Sequence, residues 1–324
     1  MAANIRKTPY IEEMRYLPFL DGKYVVTPGL NAMAKADVRD QFVFQMDDQY
    51  ADFMNNKMNC RKENAHKYYA EEHFKERTTI AVNQFFVDRL VKEYPEVFTF
   101  TFEEGQYSLF NRRKEETLTW QNDWISCGQT HWLSLFEALC HQVQEDIAVC
   151  QIEDDRDWLA AIHLSAPNHW DPADKIGKPF GAVHGPVPGM EKLNQSYFKM
   201  LLTAVQKGPF FRFAWGIATD TRLNHHPLAP AGVDQSFWLG RQVAFASAED
   251  INIRVERQTI SGLPECSAFF FTIRTYFYPI SSLLPEEKKA LMMAVEGMSA
   301  ESLAYKGLAG GVDNLRTCLT SSPE

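Results

Sequence analysis

The side chains in this sequence whose type and placement could do chemistry are histidines, arginines and one glutamate, gathered in two stretches. The first runs His163-Leu164-Ser165-Ala166-Pro167-Asn168-His169-Trp170-Asp171-Pro172, then Lys175-Ile176-Gly177, then Val183-His184-Gly185-Pro186-Val187-Pro188. His184 lies between Gly181 and Gly185 and just before Pro186, so glycine and proline set the backbone that carries it. An imidazole held in this way can ligate iron or zinc, or act as a base. It can equally serve as a loop histidine that hydrogen-bonds a neighbouring backbone group. His163, His169 and His184 together could form a zinc set, although their spacing matches no common ligand pattern.

The second stretch is Arg254-Val255-Glu256-Arg257-Gln258, with strand character. Alternation puts Arg254, Glu256 and Gln258 on one face and Ile253, Val255 and Arg257 on the other. Arg257 therefore shares an apolar face and needs an anionic partner. On the next strand Arg274 stands on the face opposite Phe269, Phe271 and Ile273. With Arg212, these arginines could bind carboxylates or phosphates through two parallel hydrogen bonds. A structural Arg–Glu pair accounts for Arg257 and Glu256 equally well.

Several chemistries lack their sequence carriers. There is no GxxxxGK[ST], GxGxxG, HExxH or GxSxG, which removes the usual phosphate loop, dinucleotide fingerprint, zincin helix and hydrolase elbow. No CxxCH occurs, so covalent c-type haem attachment is excluded. The balance of 33 Lys and Arg against 42 Asp and Glu gives a net charge of −9, the wrong sign for nucleic-acid binding. Six cysteines in 324 residues, with no CxxC, argue against a disulfide scaffold and for a reducing compartment. No apolar run approaches the roughly 20 residues of a membrane helix, and no secretory apolar region follows the first basic residues. A cytoplasmic location is the expectation.

The elements that must position these residues follow from periodicity. Arg77–Tyr94 carries Ile80, Val82, Phe85, Phe86, Leu90 and Val91 near a 3.6-residue period and is predicted helical. Phe98–Leu109 alternates as a strand. A helix is predicted from Trp132 to about Cys150, and a strand over Trp158–Ser165. The Pro- and Gly-rich stretch Pro167–Gly189 is a loop, and Met190–Lys207 an amphipathic helix stopped by Gly208 and Pro209. Strands follow at Pro209–Ala218, Ile251–Ile260 and Ser267–Pro279, the last two joined by a short Gly/Pro connection that suggests an antiparallel pair. Helices over Pro285–Gly297 and Ser299–Tyr305 close the pattern, and residues 308–324 are expected to be a loose tail. Strands grouped with strands predict an α+β fold with an antiparallel sheet, in one domain over residues 1–307 with a helical N-terminal half.

Four ordered motifs in these stretches resemble one family. They are Trp170-x-Pro172-x-x-Lys175-Ile176-Gly177, Val183-His184-Gly185-Pro186-Val187-Pro188, Arg254-Val255-Glu256-Arg257-Gln258-Thr259 with Leu263-Pro264, and Phe271-Thr272-Ile273-Arg274-Thr275-Tyr276. Pro28-Gly29-Leu30 and Tyr305-Lys306-Gly307 extend the likeness. The sequence resembles the α-subunit family of haem-dependent oxidative N-demethylases. The resemblance implies a PAS-like antiparallel sheet wrapped by additional helices and holding a non-covalent haem b. It implies oxidation of a methylated secondary or tertiary amine by O2 to the demethylated amine and formaldehyde. Electrons would come from a separate NAD(P)H-dependent flavin and iron–sulfur reductase subunit, with no flavin, NAD or iron–sulfur site on this chain. His184 is then the iron ligand, and Lys175, Arg212, Arg254, Arg257 and Arg274 the candidate haem contacts. Glu256 is the candidate carboxylate for a cationic amine, while His163 and His169 fall outside the shared pattern. The alternatives are a non-catalytic haem sensor or storage domain, and a metal hydrolase built on His163, His169 and His184.

Overall fold

The structure, a computed structural model, describes residues 15–25, 29–189, 197–239 and 251–320. A short edge strand β1 (Asn31–Ala32) leads through two 3-10 turns to helix α1 (Tyr50–Tyr68), strand β2 (Tyr69–Glu71) and helix α2 (Glu76–Glu93). A hairpin sheet of β3 (Phe98–Glu103), β4 (Gln106–Asn111) and β5 (Glu116–Trp120) follows, then a short helix α3 (Leu135–Cys140). Strands β6 (Asp146–Glu153) and β7 (Arg156–His163) precede α4 (Phe180–Val183), α5 (Tyr197–Lys207), β8 (Phe210–Ala218) and α6 (Gln235–Leu239). The chain closes with β9 (Asn252–Leu263), β10 (Ala268–Pro279), α7 (Pro285–Glu296), α8 (Ala300–Tyr305) and α9 (Val312–Thr320). The class is α+β.

The large sheet has the order β1-β8-β9-β10-β6-β7-β2, and every neighbouring pair is antiparallel. Register sorts its side chains. Arg212, Ala214 and Gly216 of β8 stand opposite Gln258, Glu256 and Arg254 of β9. These in turn stand opposite Ile273, Thr275 and Phe277 of β10, and Phe271 and Phe269 face Ala148 and Cys150 of β6. On the other face Val149, Phe270 and Ile147 pack with Phe86, Leu90 and Phe136 from α2 and α3 in one buried core. Ile253, Val255 and Trp215 pack with Leu291, Val295, Leu315 and Leu319 from α7 and α9 in a second. One face of the sheet is thus filled by these two cores; on the other, Leu201 and Val205 of α5 pack on Ile152 and Phe269 beside a cavity.

The helix predicted from Trp132 to Cys150 is not formed as such. Ser134 caps α3 by accepting from the Glu137 amide at 3.0 Å, the helix ends at Cys140, and Asp146–Glu153 is a strand. Both faces of β6 are covered, so its apolar run shows no alternation, and a buried strand of this kind reads like a buried helix. The strand predicted over Phe98–Leu109 is a hairpin, turned at Glu104 and Gly105, both with positive φ. Residues 312–320 of the expected tail form α9, whose Leu315 and Leu319 are buried in the second core. Residues 190–196 of the helix predicted from Met190, and Pro28 of the Pro-Gly-Leu motif, lie outside the described residues. No helix among the described residues is long and apolar enough to cross a membrane.

Candidate functional site

The face of the sheet that carries Arg254 and Glu256 is the floor of a cavity of about 730 Å³, within the range of about 300–1,000 Å³ usual for cofactor and ligand pockets. Its floor divides in two. Phe269, Phe271, Ile273, Ala148, Cys150, Leu159 and Ile162 make an apolar half, and Arg212, Arg254, Glu256 and Gln258 a polar one. Met200, Leu201 and Ala204 of α5 and the loop carrying Lys175, Phe180 and His184 close over it.

His184 caps the C-terminus of α4. Its Nδ1 lies 3.0 Å from the Phe180 carbonyl oxygen, an acceptor only. Nδ1 must therefore carry the proton, which leaves the Nε2 lone pair free. The ring packs on Phe180, with centroids 4.0 Å apart. Burial pushes its pKa down to about 4, and Arg212 and Lys175 push the same way, so the imidazole is neutral at pH 7. A neutral imidazole with Nδ1–H fixed by a backbone carbonyl is the form that binds a metal. Lys175 donates from Nζ to the Val183 carbonyl at 2.7 Å, tying its own loop to the turn that carries His184.

Arg212 lines the same cavity and is half-buried, its buried Nε lacking any hydrogen-bond partner. Arg254 is engaged instead: Nη2 donates to the Ala166 carbonyl at 2.7 Å, and Nη1 lies 3.3 Å from His225 Nδ1. Its Nε approaches Glu256 Oε1 at 3.6 Å, and Gln258 donates to Glu256 Oε2 at 3.1 Å. Glu256 thus sits in the cavity between an arginine and an amide, with 16% of its side chain exposed.

Arg257 and Arg274 do not reach the cavity. The expectation that they contact a cofactor is corrected by strand parity, which turns both toward the opposite face. Arg257 donates from Nε to Asp40 Oδ1 at 2.9 Å, and Arg274 from Nη2 to Asp47 Oδ2 at 2.6 Å, both guanidinium groups being fully buried. The three-histidine zinc set fails for the same reason. His163 points into the core, edge-on to His141 with ring centroids 4.8 Å apart, whereas His169 and His184 line the cavity. Among the described residues no group of three or more His, Cys, Asp or Glu could hold a metal ion.

The residues that sequence reasoning missed are Asp220, His225 and Lys306. His225 Nε2 lies 2.9 Å from Asp220 Oδ1, and Lys306 donates from Nζ to the Trp215 carbonyl at 2.8 Å; all three line the cavity. Asp220 and His225 come from a segment between β8 and α6 with no periodicity to mark them. The Tyr-Lys-Gly motif that contains Lys306 was a pointer.

A family model described as haem-dependent oxidative N-demethylase, alpha subunit-like, matches residues 34–314. The chain belongs to that family. The match spans the cavity floor, the His184 turn and the Lys306 wall, and the family's description names haem dependence. The residues present fit a haem on this structure's own terms. His184, with one imidazole nitrogen uncommitted, lines a slot rich in Phe, Ile and Leu, and Arg212 adds a guanidinium whose buried Nε has no hydrogen-bond partner, a set that suits a cofactor with an apolar body and two carboxylates.

Proposed function

We propose that this member of the family binds haem b through His184 Nε2 and takes part in the oxidative N-demethylation of a methylated secondary or tertiary amine. The observation that carries this reading is at His184, which lines a cofactor-sized cavity: the Phe180 carbonyl commits Nδ1 and leaves Nε2 uncommitted. Arg212 and Lys175 are the cations placed for the propionates, and the apolar half of the floor receives the macrocycle. The wholly antiparallel sheet with helices packed around it supports the PAS-like architecture implied by the resemblance.

Bound haem supplies iron at which O2 can be reduced. The overall reaction takes one oxygen atom of O2 into formaldehyde and the other into water, and it consumes two electrons and two protons beyond the amine. Those electrons come from a separate NAD(P)H-dependent flavin and iron–sulfur partner, a reading supported by the alpha-subunit-like description of the family. The amine arrives as a cation, and burying an unpaired ammonium costs several kcal/mol. Glu256 gives it a carboxylate, and Trp170 gives the cavity an aromatic side chain.

The test is a visible absorption spectrum of the full chain reconstituted with haem, set beside His184→Ala. The parent should show a Soret band, and the variant should stay folded while losing the band or changing spin state. An unaltered spectrum in the variant would show that His184 is not the ligand.

A further inference from the structure

We propose that His225, anchored by Asp220, is a positioning residue that holds Arg254 and through it the cavity carboxylate Glu256. An arginine side chain can only donate, so the Nδ1 of His225, 3.3 Å from Arg254 Nη1, must accept. The ring proton is then on Nε2, which donates to Asp220 Oδ1 at 2.9 Å. Each link fixes the direction of the next. The guanidinium also donates from Nη2 to the Ala166 carbonyl at 2.7 Å and to Thr275 Oγ1 at 3.4 Å, which leaves Nε turned to Glu256 at 3.6 Å. Gln258 completes the row from the far side at 3.1 Å.

Two features hold the His225 ring itself. Its plane stacks on that of His169, with centroids 5.1 Å apart and 4° between planes. The two backbones are also joined, His169 N–H donating to the His225 carbonyl at 3.0 Å and His225 N–H to the Pro167 carbonyl at 3.1 Å. His169 reaches this position with a left-handed φ of 62°, a conformation rarely adopted by non-glycine residues and found where surrounding contacts hold it. Arg254 is buried and Glu256 only 16% exposed, so the guanidinium has little freedom to find another acceptor if His225 is lost.

The substrate side of this inference rests on the reading of Glu256 given above; the row of hydrogen bonds ending in the Arg254–Glu256 ion pair does not. The experiment uses the full chain reconstituted with haem, dimethylamine as the probe, and the amine-induced spectral shift as the readout. His225→Phe keeps a ring to stack on His169 but removes both hydrogen bonds. It should retain haem and weaken the apparent amine affinity about tenfold or more. His225→Gln, which can still accept from Arg254 and donate to Asp220, should stay within about threefold of the parent. Combining His225→Phe with Glu256→Gln should be no weaker than Glu256→Gln alone, because the two act as one unit.

The same variants in urea unfolding make a double-mutant cycle that needs no amine, and their effects should be non-additive. Additive unfolding effects would overturn the inference whatever the amine does. So would full amine affinity in His225→Phe when Glu256→Gln has lost it. A coupled unfolding cycle with unchanged amine affinity in Glu256→Gln would uphold the row and remove the substrate reading of Glu256. If His225→Phe does not fold, Asp220→Ala, which leaves the imidazole and removes its anchor, serves in the same comparisons.

Discussion

Burial pushes the pKa of both His184 and His169 down to about 4, yet their surroundings give them different work. His184 has one nitrogen committed and one free, whereas His169 is stacked face to face on His225. His141 and His163 go further, since burial in the core holds both well below the usual imidazole range. Below about pH 6.5 the unfolded chain takes up protons that these folded imidazoles refuse. Their contribution to stability is therefore complete above that pH and is lost as pH falls below it, at up to about 1.4 kcal/mol per pH unit for each. Glu145, pushed up to about 7 by burial, acts in the opposite direction, because the folded protein keeps its proton where the unfolded chain does not. The clean measurement is a difference. His163→Phe should make the fall in unfolding free energy between pH 6.5 and 4.5 shallower than in the parent, and an identical slope would show that His163 is protonated in the fold.

Helix α5 reaches the cavity because β9 carries glycine where the two cross. A methyl group built on Gly262 would run into the Val205 carbonyl, 2.6 Å from its carbon, and lie 2.7 Å from the Ala204 carbonyl oxygen. These are backbone atoms, so the helix must shift. Gly262→Ala should cost about 1–3 kcal/mol in denaturant unfolding, as overpacking does. It should also loosen the retained haem, since Leu201 and Ala204 line the cavity from this helix. A stability loss with unchanged haem affinity would show that α5 is not part of the closure. At this scale the strand pair β9–β10 was legible, because β-branched and aromatic residues flank a Gly/Pro connection. Strand β6 was not legible, because it is apolar on both faces and its length alone does not separate it from a helix.

The N-terminal segment is bound to the back of the sheet by charge as well as by packing. Asp40 accepts from Arg257 at 2.9 Å and from Tyr16 Oη at 2.6 Å, and Glu93 accepts from the Val43 and Phe44 amides at 2.8 and 3.0 Å. Removing one partner strands the other: Asp40→Ala leaves the Arg257 guanidinium buried without its carboxylate and should cost about 3–5 kcal/mol. Urea unfolding measures this, and the folded fraction should keep the Soret band because Arg257 faces away from the cavity. An effect on the spectrum larger than that on stability would mean that the two faces of the sheet are coupled. For the assembly, the reductase proposal predicts haem reduction by dithionite but not by NADPH in the isolated chain. Rapid reduction by NADPH alone would refute it.

Taken alone, the sequence determined the class of fold, the alternation of β9 and β10, and the one histidine framed by glycine and proline. Those are local properties, set by side-chain period and backbone allowance over a few residues. The parity of β9 already separated Arg254 from Arg257, because successive side chains leave a strand in opposite directions. Which of the two directions is the cavity was decided only when α2, α3 and α7 filled one face of the sheet with core, while α5 roofed a cavity on the other. The partners of the buried charges were likewise beyond local reading, since Asp40 meets Arg257 across 217 positions of chain. So was the row from Asp220 to Glu256, whose members come from a loop and a strand and share no sequence period. Long-range pairs depend on the full packing, because a desolvated charge takes whichever counter-charge the folded chain brings within reach.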